Sequence, residues 1–212
     1  TISPALFALA LAMPGLAAGE AVKREPAGPD ERGAALAVSR PVTVDRICTL
    51  IANEAKSNAI PQDFFARLIW KESRFDHQAV SPAGAEGIAQ FMPATARLMD
   101  LADPFNIDQA IPASARHLAE LQKNLGNFGL AAAAYNAGEG RVWRWLSSGG
   151  FLPLETEDYV LDITGQPADE FAARGTEVSA RPLDPKMSFD DACRKLPVIA
   201  FNTVAMASVN RK

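Results

Sequence analysis

Pro61-Gln-Asp-Phe-Phe-Ala-Arg-Leu-Ile-Trp-Lys-Glu72-Ser-Arg-Phe75 sets Phe65, Leu68, Ile69 and Glu72 at offsets of three, four and seven, one face of an α-helix. A carboxylate thus continues a stripe that faces the core. Desolvation disfavours the charged form of a carboxyl group, so Glu72 is expected to have a raised pKa and to stay protonated near neutral pH, as a general acid must. Taken alone, the same residue also fits a helix-end Glu that turns to solvent or pairs with Arg67 or Arg74.

Outward from this helix, Ser81-Pro-Ala-Gly84-Ala-Glu-Gly87-Ile-Ala-Gln90-Phe-Met-Pro93 concentrates glycine and proline. It reads as a tight loop that lets the backbone approach a ligand and that enters a helix at Pro93. Ala131-Ala-Ala-Ala-Tyr135-Asn136-Ala-Gly138 reads as a small-residue helix with a glycine stop, its end carrying an aromatic hydroxyl and an amide. A core tyrosine beside a helix-stop residue accounts for Tyr135 and Asn136 equally well when they are taken alone. Val44, Ile47, Cys48, Ile51 and Ala55 form a further helical stripe, and Ile111, Ala115, Leu118, Gln122 and Leu125 another, starting near Pro112 and stopping at Gly126. A short helix carrying Val142, Trp143, Trp145 and Leu146 is expected after a Gly138–Gly140 turn. Strong alternating patterns are lacking, so the expected fold is all-α.

Glu72-Ser73, Gly87-Ile88-Ala89-Gln90, Ala134-Tyr135-Asn136, and Glu155-Thr156 followed by Tyr159-Val160 together resemble the motifs of the soluble lytic transglycosylases. These goose-lysozyme-like enzymes cleave bacterial peptidoglycan. The resemblance covers roughly residues 45 to 165 and implies a lysozyme-like domain with Glu72 as the catalytic acid. It implies that Ser81, Gly87, Gln90, Tyr135, Asn136 and Tyr159 bind substrate, with Ser81 helping to stabilise an oxocarbenium-like intermediate and Gln90 and Tyr135 holding the sugar and the acid. Ser73 is expected to be structural, its hydroxyl satisfying backbone at the helix end. Ala89 stands where the family usually carries Met, which is expected to thin an apolar wall of the glycan cleft. The implied reaction ends in a 1,6-anhydromuramoyl product and needs no second carboxylate. A hydrolytic lysozyme would need one, and Asp76 and Glu86 are its candidates, whereas Glu139 is expected on an exposed turn. A third alternative is a non-catalytic glycan-binding or assembly protein.

The 212 residues, 48% of them hydrophobic, suit one substantial core, and a net charge of −4 with interspersed signs offers no basic patch for nucleic acid. The expected partners are peptidoglycan glycan strands and, as a candidate, an envelope-spanning secretion or division machinery; a monomer is expected. His77 and His117 have no metal-ligand company and read as surface or capping residues, and neither a metal nor a cofactor is expected. Residues 1–18, apolar from Ile2 to Ala18, resemble a secretory signal peptide without its basic start, with a membrane anchor as the rival reading. Residues 19–42 read as a linker or arm, 43–165 as the transglycosylase domain, and 166–212 as a C-terminal extension of unassigned role with an apolar patch at Val198 to Phe201. Periplasmic export favours a disulfide between Cys48 and Cys193 over two buried thiols.

Overall fold

The computed structural model describes residues 41–172, 178 and 181–196. The expected signal peptide, most of the expected linker and the Val198 to Phe201 patch lie outside these residues. Eight helices follow in chain order: α1 Val44–Ser57, α2 Gln62–Ser73, α3 Pro93–Leu98, α4 Ile107–Leu125, α5 Phe128–Ala137, α6 Glu139–Ser148, α7 Leu154–Thr164 and α8 Ala168–Ala172. Residues 189–196 are also helical. Among the described residues the strand-like features are two isolated bridges, Val80 with Glu86 and Glu86 with Phe91. The fold is all-α, as the sequence implies.

The hub is α5, which packs against α4, α6, α7 and α8. A helix apolar all round must be buried, and Gly129 to Ala134 are all buried. Its small side chains let neighbours come close: a Cβ on Gly129 would stand 2.1 Å from the Phe171 ring of α8. Asn127 caps α5, accepting at Oδ1 from the Leu130 N–H at 2.8 Å and donating from Nδ2 to the Phe171 carbonyl at 2.9 Å. The cap therefore also anchors the far end of the domain.

Two helix boundaries differ from expectation. α4 starts at Ile107, five residues ahead of Pro112, because Asn106 caps it by accepting from the Asp108 N–H at 3.0 Å. The proline lies in the second turn. α6 starts at Glu139, with Gly138 (φ 86°) closing α5 and opening α6 in one residue, so Gly140 is helical and no turn extends across it. Glu139, expected on an exposed turn, instead lies in the first turn of α6 and accepts from Asn124 Nδ2 at 3.1 Å and Trp143 Nε1 at 3.2 Å.

The C-terminal extension acquires a place. Cys48 of α1 and Cys193 are joined by a disulfide, both buried. The Arg67 guanidinium of α2 donates to the carbonyls of Arg181 at 2.8 Å and Pro182 at 2.6 Å, and the Leu183 N–H donates to Asp63 Oδ1 at 2.9 Å. Arg194 pairs with Asp45. Residues 181–196 are thus clamped onto α1 and α2, the helix that carries Glu72.

Candidate active site

Glu72 is the penultimate residue of α2, which ends where Arg74 (φ 59°) and Phe75 (φ 65°) both turn left-handed. Two consecutive non-glycine residues in that region are uncommon, and they turn the chain sharply just past the acid. Arg67 is spent on the C-terminal extension, and Arg74 lies over the Trp70 ring at 3.8 Å. Neither candidate partner of the solvated alternative holds Glu72. Its partner is Tyr159, whose hydroxyl donates to Oε1.

Burial pushes the Glu72 carboxyl up to about 7, and the Glu155 charge adds to the shift, while the Tyr159 hydrogen bond and Lys71 pull the other way. Desolvation wins, as the helical stripe implies. The side chain is half-buried, so the carboxyl has lost most of its water yet keeps a route to a ligand. Tyr159 is 3% exposed, and burial with the neighbouring Glu72 charge holds its hydroxyl well above the usual range. It remains a neutral donor. Tyr159, expected among the substrate-binding residues, thus reaches the Glu72 carboxyl from within the core.

The loop after α2 is fixed by hydrogen bonds back to the acid helix and the core. Ser73 Oγ donates to the Ile88 carbonyl at 2.7 Å, which gives the serine the structural place expected of it. Ser81 Oγ accepts from the Ala85 N–H at 3.0 Å, which pins the turn and leaves the hydroxyl proton unspent on any described residue. At Gly87 (φ 74°) a Cβ would lie 1.8 Å from the Pro104 carbonyl oxygen, so only glycine permits the approach. Gln90 Nε2 donates to the carbonyls of Gly87 at 2.9 Å and Ala79 at 3.2 Å. That amide braces the loop, and its oxygen is what remains for a ligand.

Tyr135 Oη donates to the Ala89 carbonyl at 3.0 Å, and because a phenol has one proton, the Ser114 hydroxyl at 2.9 Å must be the donor to it. Burial and the Glu72 charge raise the Tyr135 pKa. Asn136 Oδ1 accepts from Thr156 Oγ1 at 2.7 Å, tying the end of α5 to the start of α7. Ala89 is 0% exposed. Its methyl is buried in the core.

His117 also differs from expectation. It is neither a cap nor a freely exposed side chain: its ring packs against Phe91 and Tyr135, with centroids at 6.4 and 5.5 Å, and burial lowers its pKa. It lines a groove with Gln90, Met92, Leu98, Tyr135 and Glu139. The signal lay in its i+4 offset from Ala113 on the inner face of α4, outweighed by the polarity of the ring. Asp76 is exposed and accepts from the Gln78 N–H at 2.9 Å, and Glu86 has its backbone paired with Phe91. The carboxylate that acts on Glu72 is Glu155, which sequence reasoning placed in a motif without giving it a role.

Among the described residues no group of His, Cys, Asp and Glu could hold a metal ion, and no helix is long and apolar enough to cross a membrane.

Residues 49–155 match the family profile of the transglycosylase SLT domain. Peptidoglycan transglycosylase gp16 of Escherichia phage T7 is 38% identical over 101 residues, 44% of this chain and 8% of that protein. Membrane-bound lytic murein transglycosylase F of Desulfosudis oleivorans is 30% identical over 141 residues, 56% of this chain and 31% of that protein. Membrane-bound lytic murein transglycosylase D of Escherichia coli K12 is 33% identical over 128 residues, 52% and 28% respectively. A solved structure, an inactive mutant of lytic transglycosylase Slt from Pseudomonas aeruginosa, is 29% identical with a TM-score of 0.47, covering 58% of this chain and 23% of that one. The chain spans between 8% and 31% of the length of these curated relatives.

Proposed function

The chain belongs to the transglycosylase SLT domain family, and on that premise we propose that it is a lytic transglycosylase that cleaves peptidoglycan between N-acetylmuramic acid and N-acetylglucosamine, with Glu72 as acid and then base. The observation that carries this reading is the Glu72 carboxyl itself, desolvated to a pKa of about 7 and held by one neutral donor, Tyr159. A group with that value can both give and take a proton near neutral pH.

In the proposed sequence Glu72 gives its proton to the glycosidic oxygen as the bond to muramoyl C1 breaks. The resulting carboxylate takes the proton of the muramoyl C6 hydroxyl, whose oxygen closes onto C1. The ring is 1,6-anhydro, the acid is regenerated, and no water enters. Tyr159 donates to the carboxylate when it is charged, which eases the first transfer. Ser81, Gly87, Gln90, Tyr135 and Asn136 are proposed to shape the sugar site. Of these, Ser81 keeps a free hydroxyl proton and Gln90 a free amide oxygen, whereas Gly87, Tyr135 and Asn136 act through the backbone and side chains they hold. Periplasmic action is supported by the apolar segment Ile2 to Ala18 and by the Cys48–Cys193 bridge.

The alternative is hydrolysis, which needs a second carboxylate beside Glu72. Mass spectrometry of the muropeptides released from purified peptidoglycan separates the two. Anhydromuramoyl ends are expected; products heavier by one water would mean hydrolysis, and retained binding to sacculi without any product would mean a binding or assembly role.

Tyr159→Phe should change the pH dependence in a defined sense. The lost hydrogen bond favours the charged form of Glu72, so its removal raises the pKa. A hydrogen bond to a charged group is worth about 1.5–3 kcal/mol, which moves the alkaline limb of kcat/KM upward by roughly one to two pH units. A limb that stays in place would show that Tyr159 does not bear on the acid.

A further inference from the structure

Lys71 and Asp162 stand beside the acid and have no part in the proposed chemistry. Lys71 immediately precedes Glu72 on α2, and its ammonium donates to Asp162 Oδ2 of α7 in an ion pair. Across the same contact between α2 and α7, the Tyr159 hydroxyl donates to Glu72 Oε1. Asp162 and Tyr159 lie three apart on α7, so they are neighbours on one face. Two bridges therefore run from α2 to α7 within one helical turn, an inner one that ends on the acid and an outer one that ends on the residue before it. Tyr159 is buried, whereas Lys71 is half-buried and Asp162 exposed.

An exposed ion pair adds little to stability, so the consequence of the outer bridge lies in its charges. The groups whose charge or hydrogen bond acts on Glu72 are Lys71 of its own helix, Tyr159 and Glu155 of α7, and Tyr135 of α5. Lys71 is the cation among them, and it favours the charged carboxylate. Because the Glu72 carboxyl has lost most of its water, a neighbouring charge is screened from it less than on open surface. Asp162 keeps the ammonium at the exposed rim of α7 and offsets part of its field. Without Asp162, the flexible stem of Lys71 leaves the ammonium free to turn toward the carboxylate.

We propose that Lys71 is a positioning residue that steadies the carboxylate form of Glu72, and that Asp162 sets how strongly it does so by holding the ammonium away from the acid. A stronger pull from Lys71 eases loss of the proton from Glu72 and weakens the carboxylate as a base; a weaker pull does the reverse. The ion pair thus balances the two proton transfers. This inference rests on the reading of Glu72 as acid and base and adds a control on that same group.

The test follows the Glu72 midpoint in Lys71→Gln, Asp162→Asn and the double variant, by carbon NMR of labelled glutamate carboxyl groups and as the alkaline limb of kcat/KM. The single variants should move it in opposite directions, Lys71→Gln upward and Asp162→Asn downward, each by roughly half a pH unit, the scale of one partly screened charge. For a carboxyl with a value of about 7, that takes the protonated share at neutral pH from about one half to about three quarters or one quarter. The double variant should follow Lys71→Gln, since Asp162 acts through the ammonium, and Lys71→Arg should stay near the wild type because it keeps the charge. High salt should shrink both shifts. A pair that only ties α2 to α7 would move both single variants the same way, or lower thermal stability with the midpoint unchanged, and either result overturns the proposal. Midpoints that move as expected in a chain that cleaves no peptidoglycan would uphold the action of the ion pair and overturn the transglycosylase reading. Cleavage with unmoved midpoints would do the opposite.

Discussion

Glu72→Gln is expected to slow glycan cleavage by roughly 10²–10⁴-fold, the usual contribution of a general acid or base. The amide has nearly the shape of the protonated carboxyl, and its oxygen can still accept from the Tyr159 hydroxyl. What it lacks is a proton to give and a charge to take one back. The same substitution should stabilise the protein above neutral pH. Because the folded value is about 7 against an ordinary 4.5, the folded chain holds a proton between those values that the unfolded chain has released. Folding stability therefore falls as the pH rises through that window. The variant has no such group. It should match the wild type near pH 4 and exceed it near pH 8 by on the order of 3 kcal/mol. Urea unfolding at the two pH values checks this, and equal stability at both would mean that the carboxyl is ordinarily solvated. Lost activity together with gained stability is the sign of a group kept for chemistry and not for the fold.

Replacing both Cys48 and Cys193 with serine should cost roughly 3–5 kcal/mol of stability in the chain-entropy model. The bridge closes a loop with a sequence separation of 145, so it restricts most of the described chain in the unfolded state. In the native state it fixes residues 181–196 to α1. Without it the extension keeps the donations from Arg67 to the Arg181 and Pro182 carbonyls and that of Leu183 to Asp63, together with the exposed Arg194–Asp45 pair. An exposed ion pair adds little, so these bonds are not expected to replace the covalent tie. Denaturant unfolding of the oxidised protein and of the double variant measures the difference. A difference below about 1 kcal/mol would mean that the unfolded chain gains almost no freedom when the bridge is gone.

Much of the domain was legible because helices and their caps are local. The stripe of α2, the stop at Gly126, the proline start of α3 and the small-residue run of α5 each depend on neighbours within a few positions. The desolvation of Glu72 followed from the same periodicity. Its partner did not. Tyr159 lies 87 residues away, and its hydroxyl reaches Glu72 only because α2 packs against α7, which no local pattern encodes. Tyr135 was legible as an aromatic hydroxyl at a helix end, but its bonds to Ala89 and Ser114 depend on how the loop and α4 meet α5. The full burial of Ala89 likewise depends on how its loop packs against the core, which no local pattern encodes. Pro112 suggested a helix start because proline is common there, and the Asn106 cap outweighed it.

Titration of the Glu72 carboxyl itself tests most directly whether it can serve as the acid. Carbon NMR of the protein labelled at glutamate carboxyl groups, with Glu72→Gln to identify the signal, follows its protonation across the pH range. A midpoint of about 7 is expected, well above the ordinary 4.5. A midpoint near the ordinary value would leave Glu72 ionised at neutral pH with no proton to give, and the assignment of the acid would be wrong.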